Sequence, residues 1–349
     1  MKKKVLEFLQ NEIDLKHIPG AVIQVSFQGE ILLKEAIGNR AVYPTSAPMQ
    51  LNTIFDLASL TKVVAALPAI LKLIDNGEVR LDDPVSFFLP AFAQNGKEQI
   101  KIRHLLTHTS GLRAHRHFYK EGLTSEQVLE RIYTEKMESE LNTKVVYSDL
   151  NFMTLYKVVE EITREAFYDF VAREIFHPLE MTETMYNPTC APERYAATEY
   201  SQQLGNYKQG IVHDDNAQSM GGISGHAGLF STISDLNHFT SMIENGGIYK
   251  GRRILSERVL DLSKKNYTCL AEEHRGLGWM LKSPALSSCG DLFSDLSYGH
   301  TGFTGTSMWF DPEIQLHVIL LTNRVHYGRQ PHIIRLRPRL HNLIRAHLN

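Results

Sequence analysis

Cysteine is scarce in this chain, and so is net charge. Only Cys190, Cys269 and Cys289 occur in 349 residues. Three is an odd number, they lie far apart, and none forms a C-x-x-C pair. Neither a disulfide framework nor a zinc site is expected. Free thiols in a reducing compartment are the simplest reading, which points to the cytoplasm. The formal charge is -2, from 37 Lys and Arg against 39 Asp and Glu. No global field favours nucleic acid or an anionic membrane surface. Long apolar runs are missing too. Nowhere do about 18 apolar residues follow one another, so no stable membrane insertion is expected. The opening Met1-Lys2-Lys3-Lys4 is interrupted by Glu7, Glu12 and Asp14, while Val5, Phe8, Leu9 and Ile13 fall at helical spacing. That is an amphipathic helix and not a signal-peptide core. Export through a signal outside this sequence stays open.

What is present is ordinary globular composition, 43% hydrophobic and 22% charged. Ala21–Phe27 and Ile31–Ala36 flank Gln28-Gly29-Glu30 and read as a β-hairpin. From Leu60 to Asn76, Val63, Val64, Leu67, Ile70, Leu71 and Ile74 recur at three and four, a helix closed by Gly77. Further helices are expected over Ser125–Glu135, Leu150–Glu160, Ala166–Ile175 and Ile233–Glu244. Strand signals cover Gly276–Leu281, Tyr298–Thr301, Ser307–Phe310 and Leu316–Leu321. Asp311-Pro312-Glu313 is the turn between the last two. A helix over about Pro331–His347 ends the chain. Its basic stretch, Arg329–Arg345, reads as a solvated face. This order predicts one α/β (α+β) domain over residues 1–349. Residues 1–58 and 246–349 build an antiparallel sheet from both chain ends, flanked by the terminal helices. Residues 59–245 form an inserted, mainly helical subdomain.

Three segments can carry chemistry. Ser59 opens a helical pattern and Lys62 follows three residues on, so the two share a face. A serine hydroxyl is a weak nucleophile until a base takes its proton. A lysine serves as that base when burial lowers its pKa. Lys62 lies among Val63, Val64, Ala65, Ala66 and Leu67, a desolvating setting. The competing reading makes Ser59 an N-cap and Lys62 a surface charge. The second segment is Tyr147-Ser148-Asp149, after the strand-like Lys144-Val145-Val146. Its phenol can act as acid or base beside an ammonium. The alternative is a buried tyrosine with Ser148 or Asp149 capping the next helix. The third is Gly299-His300-Thr301-Gly302-Phe303. There His300 can donate to a substrate carboxylate or carbonyl, and the Phe303 N–H can hold an oxyanion. The alternative is a glycine-rich turn.

Ser59-x-x-Lys62, Tyr147-Ser148-Asp149 and His300-Thr301-Gly302, in this order, resemble the serine β-lactamase and penicillin-binding-protein superfamily. The class C-like branch, with its esterases, carboxypeptidases and amidases, is the most similar. Phe55–Ala58, Gly77–Val85 and Ile102–Leu112 share the resemblance. It implies that Ser59 is acylated, that Lys62 and Tyr147 share proton transfer, and that the N–H groups of Ser59 and Phe303 form the oxyanion hole. His300 stands where many members carry lysine, and its charge is expected to depend on pH. Asp149 stands where β-lactamases usually carry asparagine. Both departures argue against efficient β-lactam hydrolysis.

Val212–Ala217 and Gly221–Thr232 are similar to the subgroup containing cell-wall amidases. That resemblance implies that His213, Asp214, Asn216 and His226 line the substrate cleft with Asp149, Thr301 and Gly302. The alternative is a loop satisfying its own backbone. His104 and His108, four apart, lack a third ligand at metal spacing. His115, Arg116 and His117 read as a polar loop bordering the cleft. No metal or cofactor is called for, and no oligomeric state is implied. The expected function is hydrolysis of an amide or ester, in a small molecule or a muropeptide, through an acyl-enzyme. A small-ester esterase or a weak β-lactamase is the alternative within enzymes. A protein that binds muropeptides or β-lactams without turnover is the alternative outside them.

Overall fold

The computed structural model describes residues 1–268 and 272–348. Cys269 lies outside them. Cys190 and Cys289 are free, half-buried and buried respectively.

The chain starts with helix α1 (Lys2–Asp14), which buries Val5 and Leu9. Strands β1 (Gly20–Phe27) and β2 (Glu30–Ala41) form the expected hairpin. Gln28 and Gly29 turn it at φ +50° and +81°, the left-handed pair that suits a two-residue hairpin turn. Strand β3 (Ala47–Pro48) completes this end of the sheet. The other end comes from β4 (Met280–Leu281), β5 (Tyr298–Thr301), β6 (Ser307–Asp311) and β7 (Leu316–Thr322). The order across the seven-stranded sheet is β4-β5-β6-β7-β1-β2-β3. All its pairings are antiparallel, and β1 joins the two chain ends by pairing Ala21–Phe27 with Thr322–Leu316.

Both faces of the sheet are covered. Ile23, Val25, Val318 and Leu320 pack on one side with Val5, Leu9, Leu336 and Leu340 of the terminal helices. Val22, Ile319 and Leu321 point the other way, into a larger core with the inserted helices. Alternate residues of one strand serve opposite layers, so β1 and β7 read as unbroken apolar runs. Each fully buried Val, Leu or Ile contributes about 1.5–3 kcal/mol.

Helices dominate the middle of the chain, including α2 (Leu67–Asp75) and α3 (Asp149–Thr163). Short strands also occur there: Leu229–Ser231 pairs with Phe55–Asp56 and with Met185–Tyr186. The helix expected over Leu60–Asn76 is three pieces, a 3-10 turn at Ala58–Leu60, a π-turn at Lys62–Ala66, and α2. Pro68 has no N–H to continue the α-ladder, which accounts for the wider turn before it. The expected strand over Gly276–Leu281 shrinks to β4. Gly278 turns at φ +72°, and Gly276 N–H donates to the Trp279 carbonyl at 3.0 Å. Lys144–Val146 is in no strand; Val146 N–H bonds the His108 carbonyl at 2.9 Å instead. The last helix, α4 (His332–Arg345), is not a wholly solvated basic face, because Arg337 is buried. Among the described residues no helix is long and apolar enough to cross a membrane.

Candidate active site

Ser59 follows a strained turn. Ala58 stands at φ +46°, a left-handed conformation costing a non-glycine residue roughly 1–2 kcal/mol. It is held from several sides. Ala58 N–H donates to Asp56 Oδ1 at 2.8 Å. The carbonyls of Asp56 and Leu57 accept from Thr304 Oγ1 at 2.8 Å and Thr306 Oγ1 at 3.1 Å. Both threonines belong to the β5–β6 loop, so the turn before Ser59 and the loop carrying Phe303 form one unit. Gly302 lies where they meet. A Cβ there would strike Thr306 Oγ1 and the Leu57 carbonyl, so this close approach requires glycine.

Lys62 is fully buried. Its Nζ donates to Ser59 Oγ at 3.1 Å, to Asp149 Oδ1 at 2.8 Å and to the His226 carbonyl at 3.2 Å. All three ammonium hydrogens therefore have acceptors. The expected neutral lysine is not what this setting favours. Burial pushes the Lys62 pKa down, but Asp149 and the Tyr147 hydroxyl push it up further, and the ammonium is held above its ordinary range. Asp149 mirrors it. Burial opposes its ionisation, yet Lys62, His115 and His226 hold the carboxyl well below the usual carboxylate range. His115 Nδ1 lies 3.3 Å from Asp149 Oδ2, so the polar loop expected at the cleft touches this pair.

Tyr147 is flanked by two cations. Its ring centre is 4.8 Å from Lys62 Nζ and 5.4 Å from the Arg275 guanidinium carbon. It also contacts the rings of His108 and His300, with centroids 4.5 Å and 5.9 Å away. Arg275 is 4% exposed. One of its nitrogens pairs with Glu273, while Nε and Nη1 have no partner among the described residues.

His300 lies buried on β5. Its Nδ1 is 3.0 Å from the Thr301 carbonyl. A carbonyl only accepts, so Nδ1 carries the proton and Nε2 presents a lone pair. Burial, with Lys62 and Arg275 nearby, holds its pKa well below the ordinary value. The expectation of a pH-sensitive donor is corrected: His300 is neutral, and its free nitrogen is an acceptor. His108 is similar. Burial lowers its pKa strongly, with Arg275 and Lys62 adding to the effect. Its Nδ1 accepts from Ser148 N–H at 3.0 Å. It lies beyond the helix Ile102–Leu106 that holds His104, so the two do not share a helical face.

The glycine-rich segments divide by role. Asn216 is buried and bonds Tyr119 N–H at 3.2 Å and the Arg116 carbonyl at 2.7 Å. This binds loops together and corrects its expected place on the cleft wall. Likewise His226 is buried, between Ser224 Oγ at 2.8 Å and Asp214 Oδ1 at 3.0 Å. Asp214 Oδ1 caps the helix Asp215–Ser219 through Ala217 N–H at 2.8 Å. Ligand atoms of Asp149, Asp214 and His226 lie within 4.8 Å of one another, but Lys62 already neutralises Asp149. His213 stacks on Phe303, with centroids 5.6 Å apart. The Thr301 carbonyl fixes the His300 ring. Ser148 starts α3 without capping it; its hydroxyl donates to the Arg113 carbonyl at 2.6 Å.

Sequence reasoning missed Arg275, which sits in no motif, and Arg337 on α4. His108 was weighed only as a metal ligand beside His104, and not as the ring that packs on Tyr147. A groove of about 820 Å³ has Lys144, Val145, Glu273 and His274 in its wall. Those pairs lead in sequence to Tyr147 and Arg275.

The β-lactamase family model matches residues 7–340. The chain belongs to the β-lactamase family. It is 32% identical to the N-acetylmuramyl-L-alanine amidase of Bacillus subtilis (strain 168), over 93% of this chain and 81% of that protein. It is 29% identical to an Escherichia coli (strain K12) protein named "Putative D-alanyl-D-alanine carboxypeptidase", over 91% and 81%. Its fold matches EstCE1, described as a hydrolase with promiscuous acyltransferase activity. The TM-score is 0.77, the identity 22%, and the match covers 95% of this chain and 97% of that one. A penicillin-binding protein homologue of Caulobacter crescentus matches at TM-score 0.75 and 18% identity, over 96% and 95%. The chain is a serine hydrolase of this family.

Proposed function

We propose that the protein hydrolyses the amide between a muramic acid residue and its stem peptide, through an acyl-enzyme on Ser59. The observation that carries the chemistry is the chain Ser59–Lys62–Asp149 with Tyr147 set between two cations. The family's amidase relative supports the substrate.

Lys62 Nζ and the Arg275 guanidinium carbon lie 4.8 and 5.4 Å from the Tyr147 ring centre, a setting that suits Tyr147 to the role of general base. The Ser59 hydroxyl attacks the carbonyl carbon and its proton passes to Tyr147. The oxygen turns negative between the N–H groups of Ser59 and Phe303. Collapse breaks the C–N bond, and Tyr147 returns the proton to the leaving amine. Water then attacks the ester in the same way and frees Ser59. The groove beside Lys144 and His274 takes the departing peptide.

A fluorophosphonate probe tests the nucleophile: label is expected on Ser59, and its absence from intact protein overturns the mechanism. Mass spectrometry of digested muropeptides tests the bond. Free peptide with an intact sugar supports an amidase, whereas free D-alanine supports the carboxypeptidase reading that the Escherichia coli relative favours. A long-lived β-lactam adduct without turnover of any muropeptide or ester would mark a sensing protein instead. The cytoplasm remains the proposed location, supported by the unpaired Cys190 and Cys289.

A further inference from the structure

Phe303 leads to a second surface. Its ring, 46% exposed, lies 5.7 Å from the Arg329 guanidinium carbon. Arg329 makes a two-pronged pair with Glu199, from Nε at 3.0 Å and Nη2 at 2.8 Å. Glu199 also meets His213 Nε2 at 3.0 Å. So the ion pair touches the residues at the lip of the Ser59 cleft.

Next to this pair in the chain four tyrosines pack together: Tyr200 follows Glu199 directly and Tyr327 lies two residues before Arg329. Tyr207 stacks with Tyr43 at 6.0 Å and meets Tyr200 edge-on at 5.4 Å. Tyr43 meets Tyr327 edge-on at 6.5 Å. Tyr43 is 47% and Tyr200 51% exposed. The group is pinned from below. Buried His326 accepts from the N–H groups of Val42 and Tyr43 at 2.9 and 3.0 Å through Nε2. Its Nδ1 donates to the Thr198 carbonyl at 3.0 Å. One ring thus ties the loop bearing Tyr43 to the segment leading into Tyr200, and the platform is set before any ligand arrives.

Exposed rings on segments that also carry a carboxylate–guanidinium pair suit a carbohydrate. The C–H face of a pyranose packs on aromatic faces, and its hydroxyls need both an acceptor and a fixed donor fork. An aliphatic partner would leave Glu199 and Arg329 desolvated without new bonds. We propose that Tyr43, Tyr200, Tyr207 and Tyr327, with Glu199 and Arg329, form a glycan subsite continuous with the Ser59 cleft. It holds the sugar side of the substrate, while the groove beside Lys144 and His274 is left for the peptide. The identity of the sugar, an N-acetylated hexosamine, rests on the function proposed above; the platform itself does not.

The test is binding without turnover. Ser59→Ala protein is titrated by calorimetry with the N-acetylglucosaminyl-N-acetylmuramic acid disaccharide. Saturable binding is expected. It should weaken about tenfold or more when Tyr43→Ala and Tyr200→Ala are added, and return with Tyr43→Phe and Tyr200→Phe. A thermal melt of each variant separates lost binding from lost fold. No binding, or binding indifferent to the alanines, overturns the subsite. So does a dimer in sedimentation that the alanines dissolve, which would make this face a subunit contact. Binding by a protein that cleaves no muropeptide leaves the subsite standing and removes the amidase reading. Cleavage without binding does the reverse.

Discussion

Arg337 Nη2 donates to the carbonyl of Gly302 at 2.9 Å and to that of Thr306 at 2.8 Å. The Gly302 carbonyl belongs to the same peptide unit as the Phe303 N–H. A buried guanidinium on that oxygen fixes the amide plane and strengthens its N–H as a donor. Arg324 Nε holds the next carbonyl, that of Phe303, at 2.9 Å. Arg337 thus acts through Phe303 as a positioning residue. Arg337→Met is expected to lower kcat roughly tenfold with little change in KM, less than loss of a whole oxyanion donor. Stability should move by no more than about 1 kcal/mol. Gly302 O still accepts from Gly305 N–H at 3.1 Å, and Thr306 O from Gly302 N–H at 2.7 Å. Steady-state kinetics beside a urea melt measure both. An unchanged kcat would remove Arg337 from the oxyanion machinery.

The Lys62–Asp149 pair makes a prediction about stability and pH. Asp149→Asn removes the carboxylate and leaves an ammonium buried. Breaking a buried pair is costly, and the remaining amide oxygen softens the loss, so about 2 kcal/mol at pH 7 is expected. Asp149 is depressed below its free value of 3.8, so its contribution is present above that pH and lost as pH falls through the folded value. Lys62 is raised above 10.5, so its contribution is complete below that pH and lost as pH rises through the folded value. The gap between wild type and variant should therefore be flat from about pH 5 to 9 and narrow toward pH 3. Urea melts across that range decide it; a gap that widens in acid would show that Asp149 is not held ionised.

The sheet and most helices were readable because periodicity reports which faces are buried. Ile233–Glu244 has the predicted bounds, and β1 and β7 depart from theirs by a residue or so. What failed was local. Gly276–Trp279 carries a strand's composition, but a close turn at Gly278 outweighs it. The Ser59-x-x-Lys62 spacing announced a juxtaposition that a 3-10 turn and a π-turn deliver in place of a plain helix. The charge state of Lys62 was misjudged because the apolar neighbours in sequence were visible and Asp149, 87 residues away, was not. Arg275 and Arg337 were illegible for the same reason: their importance lies wholly in what the fold sets against them.

Arg275 should matter to turnover although no hydrogen bond joins it to Tyr147 among the described residues. Its guanidinium carbon lies 5.4 Å from the Tyr147 ring centre, where a buried cation attracts the ring face and fixes its position. Arg275→Gln is expected to lower kcat about tenfold with KM little changed, and Arg275→Lys to recover part of that loss. Steady-state kinetics beside a thermal melt of each variant decide it; an unchanged kcat in Arg275→Gln would show that the cation plays no part at Tyr147.

His300 provides the sharpest contrast with its sequence. A histidine in place of lysine suggests a switch near neutral pH, but burial and two neighbouring cations, Lys62 and Arg275, oppose its protonation. Its Nδ1–H is committed to the Thr301 carbonyl. The neutral Nδ1–H tautomer should persist from pH 8 to pH 5, seen as unshifted ring nitrogens in ¹⁵N NMR. Activity across that range should then show no inflection from His300. Lys62→Met, which removes one of the two opposing cations, should make His300 easier to protonate and bring its titration upward toward the ordinary range. A wild-type His300 that titrates near pH 6.5 would mean that the site is wetter than its packing implies, and would restore the pH switch.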